Sequence, residues 1–251
     1  MSAVRLSDVV WLVGTADETS PAFTSPYDGN QYLIWNGERG LLIDAGTGLA
    51  ADVWFANVAE VAPRDAIDAV VITHYHGDHA GGAAAAAAHG WRVAAGETTA
   101  RALEAGDEQV TQVARAREIG VYPREFALRA HAPERILSDG EMVQLGALRV
   151  TGIAAPGHCD GHVVCLLEGP GETAALFTGD VLFAGGLVSM QAIPDCRLDR
   201  YAETVITLAG LGVDQLFPGH GRWVERDAHL EVSAAAESFA RLIPPRNVLT
   251  P

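Results

Sequence analysis

"VVITHYHGDHAGG", residues 70–82, places three histidines and an aspartate within the six positions 74–79, directly behind an apolar run. Val70, Val71 and Ile72 are β-branched and read as a buried strand. Gly77 permits a sharp turn, and the alanine run 83–88 that follows has high helix propensity. If the chain stays extended past Thr73, His74 and His76 project together, and Asp78 and His79 sit where the helix starts. Tyr75 then points the other way and is expected to pack beneath them. Imidazoles and a carboxylate converging at a strand-to-helix corner suit a borderline divalent metal such as zinc. A merely polar surface loop is the competing reading, and the rest of the chain decides between them.

Three later places echo this pattern, each at the end of an apolar strand. "GIAAPGHCDGH" offers His158 and His162, "AALFTGD" offers Asp180, and "QLFPGHG" offers His220. Glycine flanks each candidate, as expected where backbone must approach a crowded centre. The histidines at 74, 76, 79, 158 and 220, with Asp78 and Asp180, are enough for two metals sharing one carboxylate. Two ions roughly 3.5–4 Å apart can polarise a carbonyl or phosphoryl oxygen and hold a hydroxide. His162 opens the following strand and reads as a supporting or core residue. His89, His131 and His229 have no partners in sequence and are expected to face solvent.

Strand-like runs recur along the chain: "VVWLVG" at 9, "YLIW" at 32, "GLLIDAG" at 40, "AVVITH" at 69 and "WRVAAG" at 91. A second set begins with "LRVTGIAAPGH" at 148 and continues with "HVVCLLE", "TAALFTGD" and "DQLFPGHG". Helical patterns lie between them, at 49–62 with Leu49, Val53 and Asn57/Val58 on one face, and at 198–212 and 225–242. Asp199 is the expected N-cap of the helix at 198 and Gly212 its stop. Residues 97–135 are more charged and helical in pattern, and read as an insertion between the halves. Sheets flanked by helices, with polar loops at strand ends, define the α/β class. We expect a single domain over 1–251.

Composition narrows the function. The net charge is −15 and all 17 basic residues are arginine. An acidic surface repels phosphate backbones, so nucleic acid is not the expected partner. Without lysine, no Schiff-base or general-base lysine can operate. Cys159, Cys165 and Cys196 cannot all pair within one chain and match no zinc-binding spacing, which points to reduced thiols and the cytoplasm. No early apolar run is long enough for a membrane span.

The ordered set HxHxDH at His74, His76, Asp78 and His79, then His158, Asp180 and His220, resembles the metallo-β-lactamase superfamily over about residues 10–225. The resemblance implies a four-layer αβ/βα sandwich and two divalent ions, zinc first, with iron or manganese as alternatives. It assigns His74, His76 and His158 to one ion, Asp78, His79 and His220 to the other, and Asp180 to the bridge. It further implies a hydrolase in which a metal-held hydroxide attacks a small lactone, ester or thioester, the lactone narrowly leading, with Asp78 as the catalytic residue that orients it and carries a proton. β-Lactam or other cyclic amide hydrolysis, a mono-iron persulfide dioxygenase and a non-catalytic metal-stabilised scaffold are the alternatives. After Asp180 the chain lacks the Cys-Gly-Arg/Lys run expected of a glyoxalase II-like enzyme, which weakens glutathione thioesters. The loop at 15–31 sits where the family often hangs a substrate flap, so Phe23 and Tyr27 are candidate substrate contacts. Arg222 and Trp223, directly after "PGHG", are candidates at the rim. An oligomer is compatible with all of this.

Overall fold

Apolar residues at the start of the chain build a meander. In this computed structural model, which describes residues 2–248, β1 (Val4–Arg5), β2 (Val10–Gly14), β3 (Gln31–Trp35) and β4 (Gly40–Ile43) pair antiparallel in that order. The β3–β4 turn is closed by Asn36, whose Oδ1 accepts the N–H groups of Glu38 and Arg39 at 2.9 and 2.7 Å. The sheet then changes direction. Helix α1 (Ala51–Ala59) leads into β5 (Ile67–Ile72), which runs parallel to β4. Helices α2 (Gly77–Ala80) and α3 (Ala83–Ala88) precede β6 (Val93–Gly96), and α4 (Glu97–Ala105) and α5 (Val113–Glu118) precede β7 (Arg135–Leu137); both strands continue the parallel side. Every residue of β4 and β6 is buried, which is why both read as unbroken apolar runs rather than alternations.

The core of this first unit gathers Leu33, Leu42, Val70 and Ile72 from the sheet with Trp54 and Val58 from α1 and Trp91 before β6. Trp54 and Trp91 meet edge to face, their ring centroids 5.3 Å apart. The inner face of α1 is therefore Trp54, Asn57 and Val58, while Leu49 lies outside the helix and is exposed. Asn57 is tolerated there because its side-chain amide donates to the Val13 carbonyl at 3.0 Å. The segment 97–135 is built into this core rather than appended to it. Val113, Tyr122, Phe126 and Leu128 are all buried in the same cluster, and β7 returns the chain to the sheet.

Between Leu137 and Ser138 the chain divides into a second compact unit. It contains β8 (Met142–Leu145), β9 (Leu148–Ala154), β10 (Val163–Glu168), β11 (Ala175–Gly179), α6 (Leu198–Ala209), β12 (Gln215–Pro218) and α7 (Ala228–Ala240). The sheet order is β12-β11-β10-β9-β8, antiparallel except for the parallel pair β11 and β12. Val164, Leu176 and Leu216 of the sheet pack with Tyr201, Val205 and Leu208 of α6 and Val232 and Phe239 of α7. Two helix boundaries differ from expectation. Arg197, not Asp199, occupies the N-cap of α6, and Asp199 sits in the first turn, paired with Arg197 at 2.8 Å. The helix stops at Ala209 with Gly210 as its cap; Gly212, at φ +62°, shapes the turn beyond. Among the described residues no helix is long and apolar enough to cross a membrane.

Trp54 anchors the first core, so Trp54→Ala should cost about 3–5 kcal/mol of stability. A guanidinium melt of the purified variant, set beside wild type, measures this directly.

Candidate metal centre

Each unit places ligand-type residues at the carboxyl ends of a parallel strand pair, and the second adds His158 after the antiparallel strand β9. In the first unit, β4 ends at Ile43 and β5 at Ile72, so Asp44 and Thr73 emerge side by side. Asp44 adopts a left-handed backbone, φ +63°, which aspartate tolerates better than most residues. Its carboxylate is buried and accepts the Thr73 N–H at 2.7 Å and the Thr73 hydroxyl at 2.9 Å. Its Oδ2 also faces His79 Nδ1 at 2.8 Å. A carboxylate is an acceptor, so the His79 proton must sit on Nδ1 and the ring lone pair on Nε2. His74 follows from the same arithmetic. The single Thr73 hydroxyl proton goes to Asp44, so its oxygen must receive His74 Nδ1–H across 3.1 Å. His74 therefore also offers Nε2.

His74 Nε2 lies 3.1 Å from His76 Nδ1. Two nitrogens each held about 2.05 Å from a tetrahedral zinc lie about 3.3 Å apart, so this spacing is close to that of a ligand pair. Asp78 Oδ2 stands 3.7 Å from His79 Nε2. His74, His76 and His79 are buried, and Asp78 is the partly exposed member. Tyr75 is buried, as expected of a packing residue, with its ring centroid 5.5 Å from that of His76.

The second unit repeats the logic with other groups. His158 Nδ1 donates to the Ser189 carbonyl at 2.8 Å, which again puts the ring lone pair on Nε2. Asp180 follows β11 and His220 follows β12, the parallel neighbours. The Asp180 carboxylate spans the two imidazoles, Oδ2 3.6 Å from His158 Nε2 and Oδ1 3.5 Å from His220 Nε2. One carboxylate with an oxygen toward each of two histidines is the arrangement a bridging ligand needs. His162 is the supporting residue: its Nε2 accepts the Asp180 backbone N–H at 3.1 Å.

Two residues escaped the sequence reading in this half. The Tyr201 hydroxyl accepts the Ser189 N–H at 3.0 Å and reaches the Asp180 and Val181 carbonyls at 2.9 and 2.5 Å. It ties the loop that orients His158 to the strand end that carries Asp180. Burial pushes its phenol well above the usual range, so it stays protonated as a donor. Gly157 is the other. At φ +140° a Cβ there would come within 2.4 Å of the Tyr201 Cα, so only glycine lets α6 approach the His158 loop this closely.

The remaining candidates are placed as follows. Phe23 and Tyr27 are half-buried, and Tyr27 packs against the first unit's core. Their loop does not hang free. Asp28 accepts from Thr47 N–H and the Thr24 hydroxyl, both at 2.7 Å, and Gly29 N–H donates to the Asp78 carbonyl at 2.9 Å. Arg222 is exposed and lies 3.7 Å from Glu231, and Trp223 Nε1 donates to Glu225 at 3.4 Å. His89 is stacked on Phe55, centroids 4.0 Å apart, rather than facing open solvent, and His131 pairs with Glu134 at 3.3 Å. Cys159, Cys165 and Cys196 are free thiols.

The sequence pattern of the metallo-β-lactamase superfamily matches residues 24–220, and the chain belongs to that superfamily. It is a metal-dependent hydrolase with the metallo-β-lactamase fold. Acyl-coenzyme A thioesterase MBLAC2 of Bos taurus is 33% identical over 214 residues, 76% of this chain and 74% of its own length. Its Homo sapiens counterpart is 32% identical over the same shares. Among solved structures, a metallo-β-lactamase with a HARLDQ motif from Cronobacter sakazakii superposes with a TM-score of 0.73 at 18% identity, covering 96% of this chain and 94% of that one.

The donor set fits divalent metal: His74, His79 and His158 each have Nδ1 committed to a protein acceptor and carry the ring lone pair on Nε2. Asp44→Asn tests this. Asparagine tolerates the left-handed backbone but puts an amide N–H against one of the donors Asp44 now accepts. Zinc affinity should fall by about 10–100-fold in a chelator-competition titration, with the fold retained by circular dichroism.

Proposed function

We propose that the protein hydrolyses small acyl thioesters and esters at a dinuclear zinc site. His74, His76 and His158 hold one ion, Asp78, His79 and His220 the other, and Asp180 bridges them. The observation that carries this reading is the fixed tautomers: in both units protein groups hold the Nδ1 proton and leave Nε2 as the donor atom. A structural zinc site is usually cysteine-rich and closed. Here the donors are histidine and aspartate, while Asp78 and His220 keep contact with solvent, which favours a site open to substrate.

Bound ions of this kind supply Lewis acidity and a hydroxide at neutral pH. The chain's own part is positional. Asp78 orients the nucleophile and passes a proton to the leaving group. Phe23 and Tyr27 offer apolar surface for an acyl chain, and Arg222 and Trp223 offer a cation and an indole to the polar end. Kinship with an acyl-coenzyme A thioesterase supports reading an acyl thioester, rather than a lactone, as substrate. The free cysteines suit a cytoplasmic setting.

A pH-stat assay of the zinc-loaded protein decides the matter, with an acyl thioester, an acyl lactone, a β-lactam and a phosphodiester as the panel. Steady acid release from the thioester is expected, abolished by chelation and restored by zinc. Asp78→Asn should slow it on the order of 10²–10⁴-fold. Release from the lactone alone would move the substrate to cyclic esters. Silence across the panel with zinc bound would overturn the hydrolase reading for these classes.

A further inference from the structure

The segment between α5 and β7 reaches back to the ligand stretch through one side chain. The Tyr122 hydroxyl donates to Asp78 Oδ1 at 2.8 Å and accepts the Asp78 backbone N–H at 3.0 Å. Both hydrogen bonds close on the same residue, 44 positions away in sequence, so they fix the Asp78 side chain relative to its own backbone. Oδ1 is the oxygen so held. Oδ2 is the one turned toward His79 Nε2, at 3.7 Å.

The support for Tyr122 is built in. Its ring is buried and meets Phe126 edge to face, centroids 5.0 Å apart. Gly77, directly before Asp78, makes room for it: a Cβ there would stand 2.9 Å from Phe126, 3.0 Å from Val113 and 3.1 Å from Tyr122. Arg117 clamps the same stretch, donating to Glu108 and to the Phe126 carbonyl, while Glu108 also accepts the Leu128 N–H at 3.1 Å. The Tyr122 hydroxyl is thus held by packing that does not depend on the bond it makes to Asp78.

We propose that Tyr122 is a positioning residue for Asp78, one that presents a single carboxylate oxygen, Oδ2, to the second metal and withholds the other. The 97–135 segment is on this view part of the reaction machinery. The inference rests on the ligand assignment proposed above and deepens it.

Tyr122→Phe removes the hydroxyl and keeps the ring, so the packing survives. The test is zinc uptake against a competing chelator, a melt of the metal-free protein, and kcat and KM on the best substrate of the panel. The expected result is one ion bound with wild-type affinity, the other about 10–100-fold more weakly, an unchanged metal-free melt, and a fall in kcat with KM held. In the cobalt-substituted protein the visible spectrum of one of the two ions should shift. Wild-type affinity for both ions with unaltered kcat would overturn the proposal, as would a lowered melt with metal binding unaffected. If the variant binds its second ion weakly but wild type hydrolyses nothing on the panel, the positioning role stands and the hydrolase reading alone falls.

Discussion

The contact on which the first half of the site depends is a buried carboxylate meeting three donors. Leaving Asp44 charged and desolvated would cost several kcal/mol if it were unsatisfied. Instead Thr73 N–H, Thr73 O–H and His79 Nδ1–H converge on it, and the same bonds dictate where the protons sit on two imidazoles. The parallel pairing of β4 and β5 makes this possible by bringing residues 44 and 73 out of the sheet at neighbouring points. An antiparallel connection would have sent the two strand ends to opposite edges.

The second unit reaches the same end with backbone acceptors. A carbonyl, that of Ser189, orients His158, and the phenol of Tyr201 secures both Ser189 and the start of the Asp180 turn. Here too a parallel pair, β11 with β12, delivers the ligand candidates Asp180 and His220 from adjacent strand ends. Both units therefore obey the rule that open α/β sheets carry function at the carboxyl ends of their strands.

Much of this was legible in the sequence, for reasons that also explain what was not. The strands at 10, 31, 40, 67, 93, 148, 163, 175 and 215 announce themselves as apolar runs with Gly, Pro or Asp at their ends. Missed were β1, β7 and β8, which are short and carry exposed residues, so their pairing comes from neighbours and not from their own composition. The helix at 49–62 was found and Asn57 and Val58 do face inward, but Leu49 falls before its first turn and Trp54 takes the inner place. At the site, the ligand candidates cluster in motifs. Asp44, Tyr122 and Tyr201 do not: their partners lie 29 and 35, 44, and 12 to 21 positions away, and only the folded sheet brings them together.

Because the ligand candidates leave from one end of each sheet, the turns at the other end are released from chemical duty. The β3–β4 turn, with Gly37 at φ +96° and open space around it, is one such place. The β10–β11 connection at 169–174, with Gly171 at φ +78° and equally unobstructed, is another. These turns are natural sites for grafts: a fluorophore, an epitope or a surface tether could be spliced into either at little entropic penalty, leaving the histidine-bearing edges to their work.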